Sequence, residues 1–184
     1  MKPKLVFGLF LALALTQLAM PLGQIWKYED VLKTGRLYKF RTAPVDPYDA
    51  FRGKYVALNY AGSETKLREG DKIHYRGPAY VALRQDENGF VQFGELSAEP
   101  PPTGDYVRVE YQYRDRFRLP FDKFFMEENK APQAERAYRL YGNRRSQANG
   151  RTYVTVRIKG GRGVIEDLYI EDKPIREFVR MMSK

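Results

Sequence analysis

One octet occurs twice in this chain. Residues 53–60 read Gly-Lys-Tyr-Val-Ala-Leu-Asn-Tyr, and residues 104–111 read Gly-Asp-Tyr-Val-Arg-Val-Glu-Tyr. Gly53 and Gly104, Tyr55 and Tyr106, Leu58 and Val109, and Tyr60 and Tyr111 take matching places. Each glycine is read as a turn residue that needs positive φ or a close backbone approach. The run behind it alternates with a period of two, the pattern of a strand with one face in a core. Val56, Leu58 and Tyr60 share one face, with Tyr55, Ala57 and Asn59 on the other. In the second copy the alternation runs from Asp105 to Tyr113: Val107, Val109, Tyr111 and Tyr113 face one way, Arg108, Glu110 and Gln112 the other. The polar face is expected to be wet or to line a groove. The repeated tyrosines are read as cross-strand packing with a hydroxyl hydrogen bond, against a paired aromatic binding surface as the functional alternative.

The N-terminus adds a second constraint. After the basic start Met1-Lys2-Pro3-Lys4, no charge occurs from Leu5 through Ile25. As a helix that run rises ~30 Å, the thickness of a bilayer's hydrocarbon core. Trp26 and Tyr28 follow at the depth where amphipathic rings favour headgroups. Lys2 and Lys4 predict a cytoplasmic N-terminus, with the bulk of the chain outside the cytoplasm. A cleaved signal peptide is the competing expectation, but a cut after Met20 would put Leu18 and Met20 where small residues belong, with Pro21 on the far side. Residues 1–26 are therefore expected to be an anchor and residues 27–184 one extracytoplasmic domain.

That domain reads as β-rich. Asp30–Leu37 is a short amphipathic stretch, and Arg41–Pro47 is extended or turn-like because proline restricts its predecessor. Strands are predicted at 55–60, 72–75, 79–84, 90–93, 105–113, 121–125, 152–158 and 164–170. Turns fall at Asn88-Gly89, Asn149-Gly150 and the Gly160-Gly161-Arg162-Gly163 tip, and Pro100-Pro101-Pro102 is a stiff connector. Ala131–Tyr141 is the best helix, with Ala134, Ala137, Tyr138 and Tyr141 as its stripe, and Pro174–Met182 is a short one. The fold class is mainly β, a β-rich α+β fold. It comprises an N-terminal transmembrane or signal helix, then one antiparallel sheet or barrel-like domain with a duplicated strand motif and a short helix near 131–141.

The net charge is +9, but Lys and Arg are interspersed with Asp and Glu, so no tail-like nucleic-acid patch forms. The absence of cysteine excludes disulfides, thiolate metal sites and a cysteine nucleophile. His74 alone does not make a zinc site. Asp46 and Asp49 lack the EF-hand pattern and are read as turn caps. Glu127 and Glu128, being adjacent, would point to opposite faces of a strand. Ser63-Glu64-Thr65-Lys66 has Ser-x-x-Lys spacing and Lys33-Thr34-Gly35 a Lys-Thr-Gly triplet, but the triplet should follow the serine at a distance. A Ser/Lys dyad would pair Ser63 or Ser97 with Lys54 or Lys66, and nothing in the sequence marks a desolvated lysine. The glycine-rich tip lacks phosphate-loop spacing.

These motifs resemble the GDYXXLXY family of predicted bacterial membrane proteins. The resemblance extends to Pro44-Val45-Asp46-Pro47 ahead of Phe51-Arg52-Gly53-Lys54-Tyr55, and to Gly70-Asp71-Lys72 followed by Tyr80-Val81-Ala82-Leu83, Gly89-Phe90-Val91 and Ser97-Ala98-Glu99. Phe124 to Lys130, Leu168-Tyr169-Ile170 and Asp172-Lys173-Pro174-Ile175 continue it. Lys54 stands where the family has Asp, and Val109 where it has Leu. The resemblance implies membrane association and no known activity. The expected function is a non-enzymatic accessory or interaction module, with no catalytic residue, metal or cofactor. An integral membrane protein is its expected partner and Arg108 and Glu110 its contact surface. The alternatives are a membrane-surface Ser/Lys hydrolase and an anionic-lipid-binding domain.

Overall fold

The computed structural model describes residues 3–43, 55–60, 62–127, 130, 133–134, 136–138 and 152–182. Helix α1 (Pro3–Thr34) runs past Trp26, so the apolar run and the start of the domain form one element. Large apolar side chains of residues 6 to 28 are exposed along it, whereas Val31 is only 4% exposed. Thr34 ends the helix, the Gly35 N–H donates to the Val31 carbonyl at 2.8 Å, and the chain turns directly into β1 (Arg36–Ala43). Residues 30–37 are thus a helix end and a strand start rather than one amphipathic stretch. β1 alternates as a half-buried strand should, with Tyr38, Phe40 and Thr42 buried.

The remaining elements are β2 (Tyr55–Ala57), β3 (Asn59–Tyr60), β4 (Pro78–Gln85), β5 (Val91–Ser97), β6 (Tyr106–Tyr111), β7 (Phe117–Arg118), β8 (Lys123–Phe125), β9 (Thr152–Lys159), β10 (Arg162–Ile170), β11 (Lys173–Pro174) and α2 (Ile175–Met182). They form a five-stranded sheet in the order β11-β10-β9-β1-β3, a four-stranded sheet β5-β4-β6-β7 and a β2-β8 pair. The strand ladders are antiparallel. The fold is mainly β with antiparallel sheets, as the alternation predicts.

Two bent segments carry the chain between the sheets. The first octet does not form one strand: it breaks at Leu58, so that β2 pairs with β8 while β3 pairs with β1. At the break the Leu58 N–H donates to the Asp122 carbonyl at 2.9 Å. Residues 117–125 bend likewise, β7 pairing with β6 and β8 with β2. Both octets therefore pair with successive halves of one segment. Behind this corner lie Phe40, Tyr60 and Phe121, whose rings meet edge-on at centroid distances of 5.2–5.8 Å. Each such pair contributes about 0.5–1.5 kcal/mol beyond its buried area.

Residues 72–75 form no strand. Gly70 has positive φ, and a turn brings the Gly77 N–H to the His74 carbonyl, leaving only Ile73 packed against the core. The strand expected over 105–113 stops at Tyr111, and Tyr113 stacks instead on Tyr75 at 4.3 Å. Within 131–141, the described residues Gln133, Ala134, Arg136, Ala137 and Tyr138 are helical, with Ala134, Ala137 and Tyr138 buried. Gly53, Lys54, Pro44 to Pro47 with Asp46, Asp49, Glu128 and the Asn149-Gly150 turn lie outside the described residues.

Among the described residues, three hairpin tips have positive φ at two adjacent residues, and the first two of them are two-residue loops of the type I′ kind. Gly160-Gly161 joins β9 to β10, Glu171-Asp172 joins β10 to β11, and Arg114-Asp115 follows β6. The last two use side chains that pay a steric cost in this conformation. Arg114→Asn combined with Asp115→Gly is expected to raise stability by about 1 kcal/mol. Urea unfolding of the two proteins checks this, and an unchanged or lower midpoint would refute it.

Candidate functional site

The second octet opens with a functional division of labour. Gly104 has a φ of 84°, which lets the chain turn into β6. Asp105 then reaches across to β1, accepting from the Tyr38 hydroxyl at 2.8 Å and from Arg36 Nη1 at 3.4 Å. Tyr106 packs edge-on against Tyr80 at 5.8 Å. Val107 and Val109 are buried, and Tyr111 packs at the core's margin. In the first octet Tyr55 lies against Phe125 at 5.7 Å, and Leu58 is buried. The Tyr60 hydroxyl is buried and donates to the Phe121 carbonyl, and burial pushes its pKa well above the usual phenol range. All four repeated tyrosines are thus held by packing.

Arg108 and Glu110 project from the other face of β6 into a cleft of about 640 Å³. One wall is the foot of α1, contributing Gln24, Lys27, Tyr28 and Val31. The others are the turn at residues 76–78, β6 itself, the corner at residues 118–122 and the β9–β10 tip at residues 161–163. The tip is locked onto β6 by the Arg108 N–H donating to the Gly161 carbonyl at 2.9 Å. The helix foot is held from the same hairpin: Lys159 Nζ donates to Asp30 at 2.8 and 2.9 Å and to Thr34 Oγ1 at 2.7 Å. Arg157 Nη1 reaches the Gly35 carbonyl at 3.3 Å.

The cleft is strongly basic. Its lining carries Lys27, Arg76, Arg108, Arg118 and Arg162 against Glu110 and Asp122. Arg118 pairs with Asp122, and Glu110 accepts from Gln112 Nε2 at 2.7 Å. Among the described residues, Lys27, Arg76, Arg108 and Arg162 are in no ion pair. Of the cleft residues, only Arg108 and Glu110 were anticipated from sequence. The four other cations are far apart in the chain, and no local pattern marks them. The glycine-rich tip was the one available signal, and its glycines serve close packing.

The residues considered for a serine mechanism are placed differently. Ser97 is buried and its hydroxyl donates to the Glu99 carbonyl at 2.7 Å, with the Tyr80 carbonyl at 3.3 Å. Ser63 donates to the Tyr60 carbonyl at 3.1 Å, and Lys66 is exposed. The Lys33-Thr34-Gly35 triplet ends a helix: Lys33 pairs with Glu29, and Thr34 donates to the Asp30 carbonyl. His74 is an exposed turn residue.

Fold and site together define a β-rich domain carried on an exposed apolar helix, with a basic cleft where the two join. A match to the GDYXXLXY protein family spans residues 17–168, and the chain belongs to that family. No curated protein and no solved structure matches it.

The Asp105 latch has a pH signature. Burial, then the bond to Asp105, pushes the Tyr38 phenol up to about 12. Folding therefore favours the neutral phenol, so this stabilisation is whole below the unfolded value near 10 and is lost as pH rises through 12. Tyr38→Phe is expected to cost about 1 kcal/mol at pH 7 and to flatten the decline in stability between pH 10 and 12. Tyr60, whose pKa is also raised, supplies part of what decline remains. Urea midpoints across that range check this, and an unaltered decline would exclude Tyr38 as a source.

Proposed function

We propose that this chain is a non-enzymatic, membrane-anchored accessory module. Helix α1 spans the cytoplasmic membrane with its N-terminus inside. The β-rich domain sits directly on the extracytoplasmic surface, and the Arg108–Glu110 face docks an integral membrane partner. One observation carries this proposal: α1 is exposed and apolar over most of its length, yet its last turns are locked into the domain. The stretch Val6–Thr34 has a mean hydropathy of 1.8 in its most apolar window, and none of that window is buried. That rules out a core helix.

Thirteen large apolar side chains between Val6 and Tyr28 are exposed. At roughly 1.5–3 kcal/mol each, burying them in a bilayer is worth on the order of 20 kcal/mol or more. A domain is held together by only about 5–15 kcal/mol. A signal sequence meets the same length test, but Leu18, Met20 and Pro21 make a poor cleavage site. Lys2 and Lys4 support the inside-to-outside direction. The serine-hydrolase alternative draws no support from hydroxyls that donate to backbone carbonyls.

Alkaline-washed membranes are expected to retain the chain at its full mass, and external protease should reach the domain only after the outer barrier is opened. Crosslinking in native membranes should capture a membrane protein, and Arg108→Glu with Glu110→Lys should abolish that capture while the near-UV tyrosine dichroism stays unchanged. A shortened, freely soluble chain would overturn the anchor, and undiminished capture would overturn the docking face.

A further inference from the structure

Among the described residues, four cations of the cleft are in no ion pair and together favour an anion, and the position of the cleft says where that anion comes from. Lys27 stands on α1, Arg76 in the turn before β4, Arg108 on β6 and Arg162 at the β9–β10 tip, so four separate elements deliver positive charge to one cavity. Elsewhere in this chain some surface cations pair with carboxylates, as at Arg36–Asp105, Arg41–Asp86, Arg68–Asp71 and Arg157–Glu166, and others such as Arg84 and Arg114 stand singly; what sets this place apart is that four cations outside ion pairs line one cavity. Among the described residues the lining has two carboxylates, Asp122 paired with Arg118 and Glu110 hydrogen-bonded to neutral Gln112, which leaves five cations against two anions. Three of the four cations are guanidinium groups, whose planar forks match the oxygens of a phosphate.

Depth decides the source. The uncharged run of α1 ends at Ile25. At about 1.5 Å per residue, Lys27 to Val31 lie roughly 3–9 Å beyond that end. The headgroup layer of a bilayer extends about 5–7 Å beyond the hydrocarbon on each side. A wall of the cleft therefore stands at the level of lipid phosphates. The volume of about 640 Å³ is within the range for a headgroup-sized ligand.

We infer that the cleft binds the phosphate of an anionic phospholipid headgroup, held by Lys27, Arg76, Arg108 and Arg162. The choice of lipid as the source rests on the anchoring proposed above, whereas the site itself does not. The full chain in neutral detergent micelles, supplied with equal amounts of phosphatidic acid, phosphatidylglycerol and phosphatidylcholine, is examined by native mass spectrometry. The two anionic lipids are expected to be retained about tenfold or more over phosphatidylcholine. The Arg76→Gln, Arg162→Gln double variant, which leaves the Arg108–Glu110 face intact, should lose that preference with its near-UV dichroism intact. An Arg84→Gln, Arg114→Gln control, whose positions lie outside the cleft, should keep it.

Equal retention of neutral and anionic lipid, or a preference that survives in the cleft variant, overturns the inference. Displacement of the lipid by low-millimolar inorganic phosphate would show a free-phosphate site and overturn the lipid assignment. Because binding is read in micelles, a chain that fails to anchor in native membranes would sink the anchoring proposal separately.

Discussion

The β9–β10 tip can lie flat on β6 only because residues 161 and 163 lack side chains. A Cβ at Gly161 would sit 2.6 Å from the Tyr106 ring, and one at Gly163 would sit 2.3 Å from Phe121. Both are impossible contacts with packed rings, and relieving them would cost about 1–3 kcal/mol. The rest of the molecule is arranged around this closeness. The tip bonds to β6 through Arg108, and the same hairpin grips the helix foot through Lys159 and closes one side of the cleft. Lifted by a few ångströms, the tip would leave the helix without its brace and the cleft without a wall.

The family's octet acquires a physical meaning from its second copy. Its glycine turns the chain, its aspartate latches the start of β6 to β1 through Tyr38, and its first tyrosine packs beneath the tip. The alternating aliphatic residues then enter the core. The first copy follows the same in-and-out pattern but is bent at Leu58 to turn a corner. Similar strings can therefore occupy a straight strand or a broken one, because pairing partners rather than local sequence decide where a ladder changes sheet.

Alternation made much of this fold legible. The long strands β4, β9 and β10, the in-facing residues of both octets and the exposed apolar helix all follow from local pattern. So do the Asn88-Gly89 turn, reinforced by Asp86 accepting from the N–H groups of Asn88 and Phe90, and the glycine tip. β1 was missed: Tyr38-Lys39-Phe40-Arg41-Thr42 alternates, but the charged residues of the preceding turn masked where helix gives way to strand, and no strand was expected before residue 55. The Arg114-Asp115 and Glu171-Asp172 tips were hidden because each offers an Asp alone, with neither Gly nor Asn to announce a turn with two positive φ angles. Residues 72–75 alternate without pairing, since a neighbouring turn removes them from any ladder. The cleft was the least legible part. Arg108 and Glu110 stand out on a polar strand face, but Lys27, Arg76 and Arg162 converge only through topology.

The join between α1 and the sheet has no linker. Thr34 is helical and Arg36 is already in β1, and the Lys159 clamp and buried Val31 brace the corner. With α1 seated in a bilayer as proposed, the domain cannot swivel independently of its stalk. A helix tilts to match the thickness of the lipid around it. Here that tilt becomes a rotation of the whole sheet relative to the surface, making the protein a rigid pointer whose heading is set by the lipids around it.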